Sequence, residues 1–407
     1  MRIRARIKTL CAATLLLLAP AAPAAADPSS PEELAAAVAR PAIVYITVNW
    51  HGWVRDTKSG EVFGGAAGYD VKISCTGVVI NPDGYVATAS HCVHTGPRGG
   101  SGYMFDAALG ELAKSGRVGD PAKAKQLMTD RAVAEGTGPD RPVDRTITVE
   151  RMVPDGKRDA APATVVDLVA PEDGDVAVLK IPRNRLPSLD LRMDDAPVGT
   201  PVLAIGYPGS TADPKLEPSN KNGQISAHRT LQEKPFYEFS AAATHGMSGG
   251  PLVDMQGRVT GLISQGAPGE TQSFNFATAS STVATLLSGK GIEAKQGPHD
   301  HNYRTGLDRY FAGDYNAAVN YFDATVAGSP THIQAAEYLR QAHDKGGKPS
   351  GSTAPLLYVG LGCALIAVIA IALVVLMIRR RRRLLSVMDT PPYGFPMPIV
   401  DAPTQPS

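Results

Sequence analysis

Cysteine is sparse in this chain, with four in 407 residues, and net charge is nearly absent at +1. The low charge argues against a nucleic-acid partner, which would call for a strongly basic surface. Cys11 lies in an apolar leader and Cys363 in a long apolar run, so only Cys75 and Cys92 remain for a folded part. An even pair in a secreted chain favours a disulfide over a metal site. The other reading makes those two thiols zinc ligands with His91 and His94, but the spacing is not that of a zinc finger. No metal or organic cofactor is implied.

The balanced charge hides a split. Arg2, Arg4, Arg6 and Lys8 open the chain and five arginines occupy 379–383, which leaves the middle mildly acidic. The length suits about two or three domains. Residues 1–26 read as a signal peptide, with a basic start, the apolar stretch Leu10 to Leu18 and the small residues Ala24-Ala25-Ala26 before Asp27.

Against these absences stands one glycine-rich stretch, Thr244-His245-Gly246-Met247-Ser248-Gly249-Gly250-Pro251-Leu252-Val253. A serine hydroxyl is a poor nucleophile unless a base and oxyanion donors stand beside it. The flanking glycines let the backbone turn tightly, so that amide groups can converge there. The amides of Gly246 and Ser248 are the natural pair. Taken alone, the stretch reads equally well as an ordinary glycine turn.

Two upstream stretches change that. Cys75 to Cys92 reads as a hairpin closed by Asn81-Pro82-Asp83-Gly84, with His91 at its end. Asp175 stands at the mouth of the apolar run Val176 to Ile181. The order His91, Asp175, Ser248 is that of chymotrypsin rather than of subtilisins or α/β-hydrolases. Over about residues 38–288 these contexts resemble the trypsin-like serine proteases, and the wording is closest to the bacterial HtrA-like branch. The resemblance implies a double β-barrel and a catalytic triad of His91, Asp175 and Ser248. It makes Cys75–Cys92 the disulfide beside the histidine. It also assigns Ser264-Gln265-Gly266 to the strand that supports the aspartate and binds substrate backbone. Ala242, six before the nucleophile, falls in the primary specificity pocket. With no acidic residue there, small or medium apolar side chains are preferred.

The remaining chain is read in order. Ser30 to Arg40 is a short helix stopped by Pro41, and Ala42 to Trp50 is a strand whose Trp50 and Trp53 cover a barrel edge. Residues 101–145 form a helical insertion, either a lid or a surface decoration. Short strands then recur every ten or so residues, so that the protease domain spans 27–290. A linker at 291–300 leads to 301–345, where Gly306, Gly313-Asp314-Tyr315, Ala318, Phe322 and Pro330 resemble one tetratricopeptide repeat. One repeat cannot bury a core alone, so it packs on the barrel, docks a protein partner or pairs between chains. No PDZ-like region is apparent, unlike many HtrA-like proteins.

After a linker at 346–354, residues 355–378 read as a transmembrane helix, because Leu356 to Ile378 carries no charge. The arginines that follow place the proline-rich tail 379–407 in the cytoplasm and all before the span outside. The expectation is therefore a mainly β chain with a double barrel, an α-helical repeat-like segment and one transmembrane helix. Its expected place is the cell membrane, single-pass, with the protease domain extracytoplasmic. Its expected function is that of a serine endopeptidase acting on proteins or peptides. The rival reading is a catalytically idle protease-fold adaptor that binds partners through its helices.

Overall fold

A computed structural model describes residues 31–138, 140–209, 217–231, 233–264, 275–349 and 368–380. The expected signal peptide, most of the expected span and nearly all of the tail lie outside the described residues. Helix α1 (Pro31–Ala39) gives way at Pro41 to β1 (Ile43–Asp56), a long strand rich in β-branched and aromatic residues. Then come β2 (Val62–Phe63), β3 (Tyr69–Asn81), β4 (Tyr85–Thr88), α2 (Gly100–Lys114) and α3 (Pro121–Arg131). The first half closes with β5 (Ala132–Glu135), β6 (Asp144–Val153), β7 (Lys157–Val169) and β8 (Val176–Lys180). Its strands run β1-β3-β4-β8-β7-β6, and β1 also pairs with β6, so the path returns to its start. Such closure leaves no long edge unpaired.

The second half holds β9 (Pro201–Gly206), β10 (Ser219–Leu231), β11 (Lys234–Phe239), β12 (Pro251–Asp254), β13 (Val259–Ile263) and β14 (Asn275–Ala279). These strands form a closed barrel in the order β10-β11-β14-β13-β12-β9. Helix α4 (Ser280–Ser288) follows. The turn between β3 and β4 is the expected one. The Asn81 side chain accepts from the Asp83 amide at 2.8 Å, and Gly84 sits at φ +93°.

The insertion is α2, α3 and β5. Helix α2 buries Met104, Phe105 and Ala108, and Gly100 lies against Trp50, where a Cβ would come within 2.5 Å of the indole ring. Trp50 is therefore fully buried beneath α2 rather than covering an exposed edge. Trp53 is only half-buried, its indole N–H donating to Gly65 O at 3.0 Å.

Helices α5 (Pro298–Phe311), α6 (Tyr315–Gly328) and α7 (Ile333–Asp344) form the repeat-like segment. Gly306 is there for close approach, since a Cβ would meet the Phe322 ring at 2.6 Å. Of the three packing alternatives the barrel is the one observed. The buried Asp300 carboxylate accepts from the Ser188 hydroxyl at 2.8 Å and its amide at 3.2 Å. The Tyr303 hydroxyl donates to Ala37 O at 3.0 Å, and Ser329 Oγ to Arg185 O at 2.9 Å. The stretch read as a linker at 291–300 is itself fastened to the first barrel. The Lys295 amide donates to Ile80 O, and Asn81 Nδ2 to Glu293 O. Helix α5 already begins inside that stretch, at Pro298.

The single-pass membrane placement is corrected. Among the described residues no helix is long and apolar enough to cross a membrane. Of the apolar run seen in the sequence, the described residues 368–378 are helical.

Candidate active site

His91 lies in a short 3-10 turn, Ser90–Cys92, that follows β4. Asp175 immediately precedes β8, which pairs with β4, so the two side chains arrive at neighbouring strand ends. The Asp175 carboxylate accepts from His91 Nδ1 and from the His91 amide, both at 2.8 Å, and from Ser90 Oγ at 3.1 Å. A further short hydrogen bond comes from Ser264 Oγ, at the end of β13 in the second barrel. Burial raises the cost of ionising Asp175, but the His91 charge and these donors outweigh it and bring the carboxyl down to about 2. An ionised carboxylate only accepts, so the proton on Nδ1 belongs to His91 and its Nε2 is left as the basic nitrogen.

The backbone here is held in an uncommon conformation. Asp175 has φ +53°, a region that aspartate tolerates better than most residues. The Thr278 hydroxyl donates to Gly174 O at 2.7 Å, fixing the preceding peptide from the second barrel.

Ser248 is half-buried in the loop before β12. The loop lies against the base-bearing chain, since a Cβ on Gly249 would stand 2.6 Å from the Ala89 amide nitrogen. Among the described residues Ser248 Oγ makes no hydrogen bond, to His91 or to another group. In ligand-free active sites such bonds are commonly long. The amides of Gly246 and Ser248 also have no protein partner among the described residues. Their orientation is nevertheless set. His245 O accepts from the Gly209 amide at 2.7 Å, and Met247 O from the Gly250 amide at 2.9 Å. In a planar trans peptide the N–H points opposite to the C=O. Each carbonyl held on one side therefore aims the Gly246 or Ser248 N–H to the other. Gly246 at φ +91° needs to be glycine, and a Cβ there would also meet Tyr207 O at 2.5 Å.

Ala242 is exposed on the loop that leads to Ser248. Ser264 is brought to Asp175, whereas Gln265 and Gly266 lie outside the described residues. Cys75 and Cys92 are joined with a Cα separation of 6.4 Å. Cys92 is in the 3-10 turn rather than on the second hairpin strand. Both sulfurs and a His91 ring nitrogen lie within 4.8 Å of one another. With the sulfurs bonded to each other, no thiolate is left for zinc.

Sequence reading missed Ser90 and Thr278, because a hydroxyl's partner 85 or 104 positions away leaves no local pattern. Tyr103 of α2 was missed as well. The insertion lies beside the site, since a Cβ on Gly99, just before α2, would stand 3.3 Å from His91 O, and burial with the negative charge of Asp175 pushes the Tyr103 phenol up. The seam Gly99–Gly100, next to His94 and Trp50, was the available signal.

Residues 75–262 match the family model of the trypsin-like peptidase domain. A probable periplasmic DegP-like serine endoprotease of Halomonas elongata is 43% identical over 96 residues, 22% of this chain and 19% of that protein. A serine protease of Mycobacterium tuberculosis is 30% identical over 118 residues, 28% of this chain and 30% of that one. The chain thus matches 19% to 30% of the length of these curated relatives. Among solved structures, a serine endoprotease from Yersinia pestis aligns with a TM-score of 0.38 at 19% identity, covering 64% of this chain and 66% of that one. The resemblance to trypsin-like and HtrA-like serine proteases is borne out. The family match ends before the repeat-like helices. The DegP-like relatives are named periplasmic, which again departs from the membrane placement expected from the sequence.

Proposed function

We propose that the trypsin-like peptidase domain of this chain is a serine endopeptidase. Ser248 Oγ attacks the scissile carbonyl of a protein or peptide, and His91 Nε2 takes its proton and later returns it to the leaving amine. Asp175 holds the imidazole in the required tautomer and stabilises the imidazolium. The Gly246 and Ser248 amides receive the oxyanion, at a few kcal/mol per donor in related chemistry. The observation that carries this reading is the buried Asp175 carboxylate at 2.8 Å from His91 Nδ1, with the Ser248 loop packed alongside.

Ser264 acts as the second prop of Asp175, and the backbone of Ser264, Gln265 and Gly266 is the strand on which substrate is laid. An exposed Ala242 offers neither charge nor bulk to a side chain entering beside it, which supports a preference for small or medium apolar residues.

A fluorophosphonate probe tests the reading on the full chain. Wild type is expected to be labelled on Ser248 and to cleave a casein-type substrate, while Ser248→Ala does neither and keeps its melting temperature. Equal labelling of the two proteins, or none in wild type, would sink the proposal and return the fold to the role of an idle adaptor.

A further inference from the structure

We infer that Thr76 is a positioning residue for the nucleophile loop, a role that rests on the reading of Ser248 as nucleophile. Thr76 follows Cys75 on β3 and is fully buried. Its hydroxyl donates to Gly246 O at 2.8 Å and accepts from the Tyr207 amide at 2.9 Å. Its own amide donates to Ser248 O at 2.9 Å, and its carbonyl accepts from Thr88 Oγ1 at 2.8 Å. Every polar group of the residue is engaged.

The arrangement has a simple consequence for the loop. Four consecutive peptide groups run from His245 to Gly249. Gly209 and Gly250 hold the carbonyls of the first and third, which carry the Gly246 and Ser248 amides. Thr76 holds the carbonyls of the second and fourth. The alternation braces the Ser248 donor from both neighbouring peptides and the Gly246 donor from the peptide that follows it. This matters because Gly246 and Gly249, at φ +91° and +80°, offer little steric resistance to peptide rotation, and Thr76 completes a grip that the Met247 amide on Thr244 O at 3.0 Å and the Gly249 amide on Ile263 O at 2.7 Å make from the other side. A donor is effective only when it is aimed before the charge develops. Through Thr88, two residues before Ser90, the same hub also ties the loop to the chain that carries His91.

Valine keeps the shape of threonine but removes the hydroxyl, so Thr76→Val strands Gly246 O and the Tyr207 amide. Serine keeps the hydroxyl and loses only a methyl. With a peptide substrate that wild type turns over, Thr76→Val is expected to lower kcat about 10–100-fold with KM within about threefold, a part of what loss of a whole donor costs. Thr76→Ser is expected to stay within about threefold of wild type on the same scale. A valine variant as fast as wild type, or a serine variant as slow as valine, overturns the inference.

Amide hydrogen exchange on wild type supplies an arm independent of activity, which decides the matter if Thr76→Val does not fold or wild type proves inert. The Thr76 and Tyr207 amides are expected to exchange about 100-fold more slowly than those of Gly246 and Ser248. Equal rates would overturn the role of Thr76. An inert wild type with the protected pattern would instead retire the protease reading and leave the loop anchor standing.

Discussion

The two barrels bring different kinds of groups to the seam between them. The first contributes side chains, an imidazole and a carboxylate at adjacent strand ends, buried and braced by a disulfide one residue from His91. The second contributes chiefly backbone, a loop whose amides are aimed by carbonyls fixed on their far side. Side chains tolerate modest backbone error because their torsions can adjust. Backbone donors have no such freedom, so the second barrel depends on glycines at positive φ and on anchors borrowed from the first. The contrast predicts that damage to the first barrel's chemistry changes protonation, whereas damage to the second changes aim.

The severest break is Asp175→Asn. It presents His91 with an amide, permits the wrong tautomer and is expected to lower kcat about 10⁴-fold. The substitution also has a signature in acid. A carboxyl held at about 2 when folded, against roughly 3.9 unfolded, contributes stability that is present above the unfolded value. That contribution is lost as pH falls through about 2. Unfolding followed by circular dichroism should therefore show wild type losing stability between about pH 4 and 2, with a shallower slope for Asp175→Asn. Matching slopes would mean that the carboxylate is not held as described.

Next in size is Gly246→Ala, which tests aim without touching protonation. The new methyl group meets Tyr207 O, and the positive φ becomes strained. The expected cost is about 10²–10³-fold in kcat, as for a lost oxyanion donor, with the pH dependence of kcat unmoved. A shifted pH profile would erase the distinction between the two barrels.

The smallest catalytic effect belongs to the disulfide, which sharpens the comparison by separating stability from chemistry. Closing 17 positions should contribute about 3 kcal/mol by chain entropy. Cys75→Ser with Cys92→Ser is expected to lower the melting temperature by several degrees and kcat only severalfold, because the contacts of His91 with Asp175 remain. Calorimetry beside steady-state kinetics checks both. Unchanged melting with a large loss of rate would show that the bridge acts on the imidazole alone.

Much of the site is legible in the sequence. The glycines around Ser248, the Asn81-Pro82-Asp83-Gly84 turn and the apolar run after Asp175 are local patterns, written within about ten residues each. The short strands between glycine and proline breaks point to β-barrels, and the resemblance to trypsin-like proteases supplies their number. The repeat-like spacing foretold the helices, though not the surface on which they sit. The uncharged run of 23 residues reads as a span on hydropathy, whereas among the described residues no helix is long and apolar enough to cross a membrane.

What the sequence by itself determined is the list of reactive groups and the local backbone each one needs, because glycine, proline and β-branching act over one or two residues. Tertiary structure alone decided which hydroxyls serve that list. Ser90, Thr278 and Thr76 are ordinary polar residues in strand or turn sequence. They acquire meaning when folding brings a carboxylate or carbonyl 85, 104 or 170 positions away within hydrogen-bond reach. A hydrogen bond is satisfied by distance and angle and carries no periodicity along the chain, so its far partner is fixed only by how the barrels close and meet.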